Sequence, residues 1–279
     1  MEQVTIRVPA STSNLGPGFD CLGVALRIYN QITLQRGRGA PLPPIVRQAA
    51  DRFCQRAGAR PFAFSCRIAG DVPRSRGLGS SAAIRLGVLQ ALNHFAGQPL
   101  VRQEIFELAA ALEGHPDNAA PAQFGGFNLV RPSDRQRFSV SAALQFVLLV
   151  PDFEVKTSAA RALIPPQIDR LGAVASAGNA AAIAAAFASG KYRHLRGAFT
   201  DHLHQPFRKK LLPFFDGVVA AAGSAGALGA FLSGSGSTIA AVTLQRAEQI
   251  GACMLSAAGG AGRIIITTAD NRGARLFHS

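Results

Sequence analysis

The sequence predicts an α+β protein in two halves. Strand-like and helix-like segments occur in both halves, they do not follow the strict βα alternation of a doubly wound sheet, and Pro151 marks a joint between the halves. Of the 279 residues, 48% are hydrophobic and 16% are charged, which excludes a disordered protein. The chain is long enough to bury a core, and we expect one domain over residues 1–145 and a second over residues 146–279.

The first half begins with a strand and contains a strongly apolar helix. Val4, Ile6 and Val8 alternate with polar residues, and we expect Pro9 to end this strand. Hydrophobic residues cover two faces of Ala82–Phe95, as in a buried helix. The other elements expected here are strands at Val24–Leu34, Phe62–Ala69, Phe127–Val130 and Ala143–Val150, and helices near Ile45–Ala57 and Val101–Leu112.

The second half shows the same mixture of elements. We expect helices at Ala173–Ala188, Tyr192–His204, Phe214–Ala222 and Arg246–Ala257, and strands at Gly229–Leu232, Thr238–Thr243 and Arg263–Thr268. The Ala-rich stretch Ala177–Gly190 is too short and too weakly apolar to predict a membrane span.

The charge of the chain is strongly positive. Lysine and arginine number 29 against 16 acidic residues, a formal net charge of +13 that suits anionic partners, from nucleic acids to phosphorylated metabolites. The arginines are scattered, and the longest basic cluster is Arg208-Lys209-Lys210, whereas nucleic-acid binders concentrate their charge in a stripe. We therefore expect no nucleic-acid partner and no membrane partner.

The cysteines and the N-terminal segment predict a cytoplasmic protein. No CxxC pair occurs among the four cysteines, so nothing supports a zinc site or a thioredoxin-like site. The opening residues resemble a strand and lack the charged and apolar regions of a signal peptide. We expect reduced thiols in the cytoplasm.

A glycine- and serine-rich segment precedes the buried helix. Its glycines let backbone N–H groups approach an anion, and the helix that follows offers unpaired N–H groups and the positive end of its dipole. The GxxxxGK[ST] pattern of a Walker A loop is absent, and the alternative interpretation is an ordinary glycine-rich helix cap. The residues expected to bind phosphate groups are Pro73, Arg74, Ser75, Arg76, Gly77, Leu78, Gly79, Ser80, Ser81, Ala82 and Ala83.

A polar segment follows the third predicted helix and concentrates reactive side chains. Its two carboxylates, imidazole and amide belong to Glu113, Asp117, His115 and Asn118. Hard oxygen ligands suit Mg²⁺, which usually takes one or two carboxylates together with nucleotide phosphates. The alternative interpretation is a polar turn that ends the helix at Leu112.

Two further loops combine glycine with polar residues. Asn14 and Asp20 flank a constrained Gly-Pro-Gly loop that can hold a polar substrate or can form an Asx turn between strands. Ser233–Thr238 is either a second backbone cradle or a tight bend between strands.

These four segments, in this order, resemble the motifs of the GHMP small-molecule kinases. The matching segments are Pro9–Gly23, Pro73–Ala83, Glu113–Phe127 and Leu232–Thr238, and the correspondence extends over most of the chain. Within the family the resemblance is to members whose substrate is L-homoserine. It implies a two-lobed kinase with an N-terminal lobe like ribosomal protein S5 domain 2, a ferredoxin-like C-terminal lobe, an active site between them, and homodimers.

The resemblance also implies ATP and Mg²⁺ as cofactors and a role for single residues. The backbone from Pro73 to Ala83 is expected to wrap the ATP phosphates, and Ser81 and Glu113 are expected to hold Mg²⁺.

The same resemblance assigns the acceptor site. It places Asn14 and Asp20 against the amino acid, with Asp20 on the ammonium group, and Arg161 and Arg208 on the carboxylate. Arginine forks are well shaped for a carboxylate.

The hydroxyl that accepts the phosphoryl group is expected to lie beside His115 and Asn118, with Asp117 as a weaker candidate for a general base. Phosphoryl transfer depends mainly on in-line positioning and charge neutralisation, so a strong base is not required.

The sequence departs from the family pattern at three places. Ser237 replaces a proline, Arg85 replaces an apolar or small residue, and the stretch between Thr33 and Val46, which helps form the adenine pocket in relatives, is short.

Two alternative functions are compatible with the sequence. One is a GHMP kinase for another small alcohol, and the other is a non-catalytic, Arg-rich nucleic-acid-binding protein on a related scaffold.

Overall fold

The computed structural model describes residues 2–37, 40–132 and 134–277 and contains two antiparallel sheets. In chain order the first part comprises β1 (Gln3–Ser13), β2 (Leu22–Arg36), α1 (Pro44–Ala57), β3 (Phe64–Gly70), α2 (Ser80–Phe95), α3 (Arg102–Glu113), α4 (Ala119–Phe124), β4 (Phe127–Arg131) and β5 (Asp134–Phe138). The second part comprises β6 (Gln145–Val150), α5 (Thr157–Ala162), α6 (Arg170–Ser189), α7 (Gln205–Arg208), α8 (Phe215–Ser224), β7 (Gly229–Leu232), β8 (Ile239–Thr243), α9 (Ala247–Ala257), β9 (Arg263–Thr268) and β10 (Arg275–Leu276).

The first sheet has the order β10-β1-β2-β4-β5, with β3 also paired to β2. Its longest pairing joins β1 and β2, and the register shifts between Pro9 and Ala10. The prediction that Pro9 ends the first strand is therefore wrong. Proline lacks an N–H donor, and a local irregularity in the ladder accommodates that loss without ending the strand.

Helix α2 is the central helix of the first lobe, as its two apolar faces predict. It is buried for most of its length among β1, β2, α1 and α3. Gly87 allows its backbone to approach the sheet, because a Cβ at this position would lie only 2.6 Å from a side-chain carbon of Ile32. This close packing fixes the place where the N-terminus of α2 emerges at the edge of the lobe.

The second sheet has the order β7-β8-β6-β9 and uses both of its faces. Phe146 and Leu148 of β6 face the core that also contains α6, whereas Val147 and Leu149 face α8 and α9. This alternation has the period of two that a strand imposes.

The two lobes share one hydrophobic core. Phe127 of β4 stacks on Phe187 of α6 with ring centroids 4.3 Å apart, and an isolated bridge joins Leu26 to Ala269. The predicted division at residues 145 and 146 falls between the sheets, although β10 returns to pair with β1 in the first sheet. The assignment of two domains stays a prediction.

Some local predictions differ from the structure. The helix predicted over Tyr192–His204 is a single 3₁₀ turn, Tyr192–Leu195, followed by an irregular segment in which Gly197 has a φ of +82°. The sequence pattern did not predict α4, α5, α7, β5 or β10, all of which contain six residues or fewer. Such short elements depend on tertiary contacts rather than on a repeating pattern.

Helix α6 is longer than the Ala-rich stretch suggested. By length and composition alone it could cross a membrane, which is weak evidence because helices of soluble proteins meet the same criterion. Its buried residues include Ile183 and Phe187 in the shared core.

Candidate active site

A cavity of about 510 Å³ brings together most of the residues that the sequence analysis selected. It lies where the N-terminus of α2, the turn after α3, the segment that leads into α5, and the loop between β7 and β8 meet. The predicted site residues that line it are Asn14, Arg74, Ser75, Arg76, Gly77, Leu78, Gly79, Ser80, Ser81, Glu113, His115, Asp117, Asn118 and Arg208. Five others do not line it: Pro73, Ala82, Ala83, Asp20 and Arg161.

The loop before α2 has the properties of a phosphate cradle. Gly79 adopts a left-handed conformation with a φ of +67°, and a Cβ there would lie 2.1 Å from the Oγ of Ser11. The first N–H groups of a helix have no partner within it, and they carry the positive end of its dipole. The Oγ of Ser80 is buried and has no hydrogen-bond partner, so the cradle holds a polar atom that a phosphate oxygen would satisfy.

Arg76 anchors this cradle to the second lobe. Its Nε donates to the carbonyl of Pro151 at 2.9 Å, and its Nη2 donates to the carbonyl of Asp152 at 2.8 Å. Its Nη1 also lies 3.4 Å from a carboxylate oxygen of Glu154. With these donors engaged inside the protein, the Arg76 side chain supports the loop, and its backbone remains available to a nucleotide.

The pair predicted to hold Mg²⁺ is assembled. The Oγ of Ser81 donates to Oε2 of Glu113 at 2.7 Å, and both residues line the cavity. Arg85, the unusual residue in α2, forms an ion pair with Oε1 of the same carboxylate. A hydroxyl and a carboxylate beside a phosphate cradle are ligands that Mg²⁺ accepts, so this donor set fits the ion.

The turn after α3 orders three of the predicted catalytic side chains. His115 Nδ1 and Asp117 Oδ1 are 2.7 Å apart, and the same oxygen accepts the backbone N–H of Asn118 at 3.0 Å. Burial lowers the pKa of His115, but the hydrogen bond and the charge of Asp117 outweigh this effect and raise the pKa above its ordinary value of 6.5. The carboxylate of Asp117 is therefore already engaged by two donors.

The side chain of Asn118 is held from the first strand. Its Nδ2 donates to Ser13 Oγ at 2.9 Å, and its Oδ1 accepts from Ser11 Oγ at 2.8 Å. Both serines are buried at the end of β1. They fix the amide plane at the cavity wall.

Asn14 stabilises the loop that the sequence analysis assigned to the substrate. Its Nδ2 donates to the carbonyl of Gly234 at 3.0 Å, and its Oδ1 accepts the N–H of Asp20 at 3.1 Å. Asn14 and Asp20 both have positive φ values, 69° and 57°. The two polar groups of Asn14 thus tie the first lobe to the loop after β7.

Asp20 and Arg161 contact each other rather than the cavity. Arg161 donates to the two carboxylate oxygens of Asp20 at 2.6 and 3.0 Å. The pairing raises the pKa of Arg161, although burial alone would lower it. These two residues, predicted separately as ligands of opposite charges, form one ion pair across the lobes.

Arg208 is the most unusual charged group in the site. Its side chain is only 1% exposed, and it donates to the carbonyls of Gly234 and Ala160 at 3.0 and 3.4 Å. Among the described residues no carboxylate lies within ion-pair distance of it. Burial and the charge of Arg161 lower its pKa to about 10. A buried guanidinium that lines a cavity without a counter-ion has the charge and geometry to bind an anion.

Two supporting residues, Phe19 and His204, were missed by the sequence analysis. His204 is fully buried, its Nε2 lies 2.8 Å from the carbonyl of Gly16, and its Nδ1 accepts from Arg208 at 3.4 Å. Burial lowers its pKa to about 4, so it is a neutral acceptor for the guanidinium near pH 7.

Phe19 completes this support. Its ring stacks on His204, with centroids 5.2 Å apart, and lies 5.4 and 5.1 Å from the guanidinium carbons of Arg161 and Arg208. Phe19 adjoins Asp20 in the loop that the resemblance selected, which is the one signal in the sequence that points to it.

The departures noted in the sequence also have locations. Ser237 donates to the carbonyl of Phe153 at 2.7 Å, a contact that proline could not make. In the shortened stretch between Thr33 and Val46, residues 38 and 39 lie outside the described part of the chain. Ile45, at the start of α1, contributes with Ile84 to the wall of the cavity.

A helix N-terminus that opens into the cavity, a carboxylate–hydroxyl pair suited to a metal ion and a buried guanidinium suited to an anion are the features of a phosphotransferase that acts on a small molecule. Comparison with known proteins agrees. The family model for the GHMP kinases N terminal domain matches residues 44–126, and the family model for the GHMP kinases C terminal domain matches residues 180–261.

Curated relatives cover nearly the whole chain. A homoserine kinase of Caldicellulosiruptor bescii is 37% identical over 98% of this chain and 97% of its own length. A homoserine kinase of Synechocystis is 39% identical over 91% of each.

Solved structures share the fold. The crystal structure of homoserine kinase from Cytophaga hutchinsonii superposes with a TM-score of 0.90 at 28% identity, covering 99% of this chain and 98% of that one. A mevalonate kinase of L. major, solved with R-mevalonate, has a TM-score of 0.75 at 16% identity, and the match covers 98% of this chain and 96% of that one. The chain belongs to the GHMP kinase family, and the expected two-lobed α+β fold is confirmed.

Replacing Asp117 by asparagine will lower the pKa of His115. In the native protein the Asp117 carboxylate raises this pKa above 6.5, so the imidazolium–carboxylate pair stabilises the fold below pH 6.5, and this stabilisation is lost as the pH rises through the raised pKa. In Asp117→Asn the pKa falls below 6.5, since burial and the charge of Arg161 then outweigh the smaller, opposite effect of Asp20. NMR titration of the His115 ring measures both values.

Glu107→Gln, an exposed change on α3, is the matched control and should leave the His115 titration unchanged. A pKa of His115 that stays above 6.5 in Asp117→Asn would contradict the assigned pair.

Replacing Arg208 by methionine will raise the thermal stability of the ligand-free protein. A buried charge without a counter-ion is costly, and a methionine of similar length removes that cost. We expect an increase of about 1 kcal/mol in unfolding free energy, or about 2–4 °C in Tm. Calorimetry measures it, with Arg161→Met, which removes a part-exposed and paired guanidinium, as the control. A Tm that falls in Arg208→Met and not in the control would contradict this account.

Proposed function

We propose that this ATP-dependent GHMP kinase transfers the γ-phosphoryl group of ATP to the hydroxyl of L-homoserine. The products are ADP and O-phospho-L-homoserine, an intermediate of threonine biosynthesis. The observation that carries the proposal is the buried, uncompensated guanidinium of Arg208 in the same cavity as the phosphate cradle. The relatives named homoserine kinase, which match at 35–39% identity, support the same substrate.

The charges of the site fit a hydroxylated amino acid. Arg208, with Arg161 beside the Phe19 ring, provides guanidinium groups for a carboxylate, and Asp20 provides a carboxylate for an ammonium group. An acceptor held in this way would place its side-chain hydroxyl toward His115 and Asn118, which line the same cavity as Arg208 and the cradle.

We assign His115 and Asn118 to orienting the acceptor hydroxyl. Asn118 is held by Ser11 and Ser13, so its amide keeps one orientation and needs no rearrangement during the reaction. Asp117 holds His115 and the backbone N–H of Asn118 through its Oδ1 atom, and we assign it to positioning these residues. This arrangement favours positioning over strong base catalysis, in keeping with a loose phosphoryl-transfer transition state.

The proposed cofactors are ATP and Mg²⁺. The backbone of Gly77–Ser81 and the start of α2 would bind the phosphates, and Ser81 and Glu113 would hold the metal ion. When bound, Mg²⁺ supplies positive charge that neutralises the phosphoryl oxygens during transfer. Arg85 pairs with Oε1 of Glu113, whereas Oε2 accepts from Ser81 and would be the oxygen available to the metal ion.

The remaining features of the proposal concern location and partners. We propose a cytoplasmic enzyme that forms a homodimer and has neither a nucleic-acid nor a membrane partner. Much of the positive charge serves the fold itself: Arg102 and Arg137, for example, donate to backbone carbonyls at the end of α4. Dispersed structural arginines of this kind do not form a binding stripe.

A second candidate function is phosphorylation of another small alcohol. The mevalonate kinase of L. major shares the fold, and the phosphate cradle does not depend on the acceptor. Asp20 weighs toward an amino acid, since mevalonate carries a carboxylate for the two arginines but no ammonium group for Asp20.

Homoserine will be the preferred acceptor among small alcohols. A site built around charged groups rejects analogues that lack the matching charge, so we expect kcat/KM for homoserine to exceed that for mevalonate and galactose by about a hundredfold or more. Threonine, whose hydroxyl is secondary and closer to the charged groups, should also react poorly. A coupled ADP-release assay with the four alcohols measures this. Comparable turnover of mevalonate would favour the second candidate function, and binding to DNA or RNA without ADP release would favour a nucleic-acid-binding protein.

Replacing Glu113 by glutamine will weaken metal binding while the nucleotide cradle remains. Because the substitution removes the negative charge of a proposed ligand, we expect the affinity of the protein–ADP complex for Mn²⁺ to fall about tenfold or more. Electron paramagnetic resonance of free Mn²⁺ gives this affinity, and calorimetry with ADP alone tests the cradle. Glu107→Gln on the same helix is the control, and equal Mn²⁺ affinity in both variants would exclude Glu113 as a ligand.

A further inference from the structure

The ion pair between Asp20 and Arg161 joins the two lobes beside the proposed acceptor site. Asp20 lies in the loop between β1 and β2, and Arg161 lies in α5. Two hydrogen bonds, at 2.6 and 3.0 Å, connect the guanidinium to both carboxylate oxygens. Such a bidentate contact uses the face of each group that a ligand would need.

While it is closed, this pair keeps both residues out of the cavity. Arg208 and Asn14 line the cavity, whereas neither Asp20 nor Arg161 does. The two side chains are nevertheless accessible, with 33% and 35% of their surfaces exposed. A part-exposed ion pair contributes little to stability, so a ligand that satisfies both partners can separate it.

The surroundings favour separation by a ligand with two opposite charges. The guanidinium carbon of Arg208 lies 5.1 Å from the Phe19 ring, and the acidic groups whose charges act on it from beyond ion-pair distance are Asp20, Asp117 and Asp201. Burial and, after it, the charge of Arg161 lower the pKa of Arg208, so the two guanidinium groups repel each other. Within the described part of the chain, Asp20 is the one carboxylate that forms an ion pair with Arg161. A ligand that brought only a carboxylate would leave Asp20 uncompensated.

We propose that the acceptor binds by ion-pair exchange, in which the Asp20–Arg161 pair opens and the two charges of the amino acid take its place. The ammonium group replaces Arg161 on Asp20, and the carboxylate replaces Asp20 on Arg161 and reaches Arg208. This inference rests on the proposed function, and it adds a selection rule: the pair favours an acceptor that carries both charges.

Exchange makes the two charges of the ligand interdependent. A ligand with both charges gives each member of the opened pair a new partner. A ligand with one charge must leave one member without a partner, or must leave the pair closed and forgo its own contact. The ammonium and carboxylate groups of homoserine therefore contribute to binding more together than the sum of their separate contributions.

Analogues that lack one charge test this rule. With Mg²⁺ and a non-hydrolysable ATP analogue present, ligand-observed NMR titration gives Kd for homoserine, for 4-hydroxybutanoate, which lacks the ammonium group, and for 3-aminopropan-1-ol, which lacks the carboxylate. Each is measured with the native protein, with Asp20→Asn and with Arg161→Gln.

Ion-pair exchange predicts that one substitution changes the affinities for two ligands in opposite directions. In Asp20→Asn, Arg161 is released from its partner, so 4-hydroxybutanoate should bind about fivefold more tightly, the upper range for an accessible ion pair, while homoserine binds more weakly. In Arg161→Gln, 3-aminopropan-1-ol should gain in the same way, and homoserine should again lose affinity.

Two control variants separate exchange from the general effect of charge. Glu154→Gln removes one negative charge, as Asp20→Asn does, and Lys156→Gln removes one positive charge, as Arg161→Gln does. Both control residues lie in the segment that leads to the cavity, and Lys156 lines its wall. The gains in Asp20→Asn and Arg161→Gln must exceed those in the controls at high ionic strength, where distant charges are screened. The Arg161→Gln measurement stands alone if Asp20→Asn does not fold.

The outcomes distinguish exchange from the proposed function. Exchange is overturned if the native protein binds homoserine but the one-charge ligands gain no more affinity in the two variants than in the controls. The proposed function itself fails if the native protein neither binds homoserine nor releases ADP with it, whatever the variants do.

Discussion

The unpaired backbone donors at the start of α2 are the constraint on which the site depends. A helix cannot satisfy its first N–H groups internally, and here those groups open into the cavity from a helix that is otherwise buried. Gly87 lets the helix approach the sheet, and Gly79 lets the chain turn into it beside Ser11. Because α2 is fixed along its length, the cradle, Ser81 and the partner carboxylate of Glu113 keep their places without a ligand.

The second half of the site is built around the buried guanidinium of Arg208. Arg208 is buried without a carboxylate, an arrangement that reduces stability and that a closely packed surrounding must offset. The shared core supplies this surrounding: aromatic stacking joins the lobes at Phe127 and Phe187, and His204 accepts from the guanidinium. Burial of this guanidinium thus reduces stability at the place where we propose that an anion binds, a compromise often found in binding sites.

The sequence predicted the regular elements and the reactive segments more reliably than the links among them. Long periodic segments such as Ala82–Phe95 predicted their helix because the pattern repeats over several turns. The prediction for Tyr192–His204 was wrong because its apolar residues serve an irregular segment interrupted by Gly197. Pro9 did not end β1, since a shift in register between two strands depends on the partner strand, which no single segment reveals.

In the site, too, local motifs could be predicted from the sequence, whereas contacts between distant residues could not. The residue types at the cradle and at Glu113–Asn118 were visible as local motifs, and the structure brings them to one cavity. The pairing of Asp20 with Arg161, 141 positions apart, and the support of Arg208 by His204 and Phe19 arise from tertiary contact, which local spacing does not encode.

The return of β10 to the first sheet affects how the protein is made. Residues Arg275 and Leu276 cover the edge of β1 at Arg7 and Ile6, yet the ribosome synthesises them only after the whole second lobe. Until then the outer edge of the nascent first sheet presents free peptide groups to any other chain, and such an edge invites intermolecular pairing. Completion of the first sheet therefore waits until the second lobe has been synthesised, which gives chaperones a defined surface to shield.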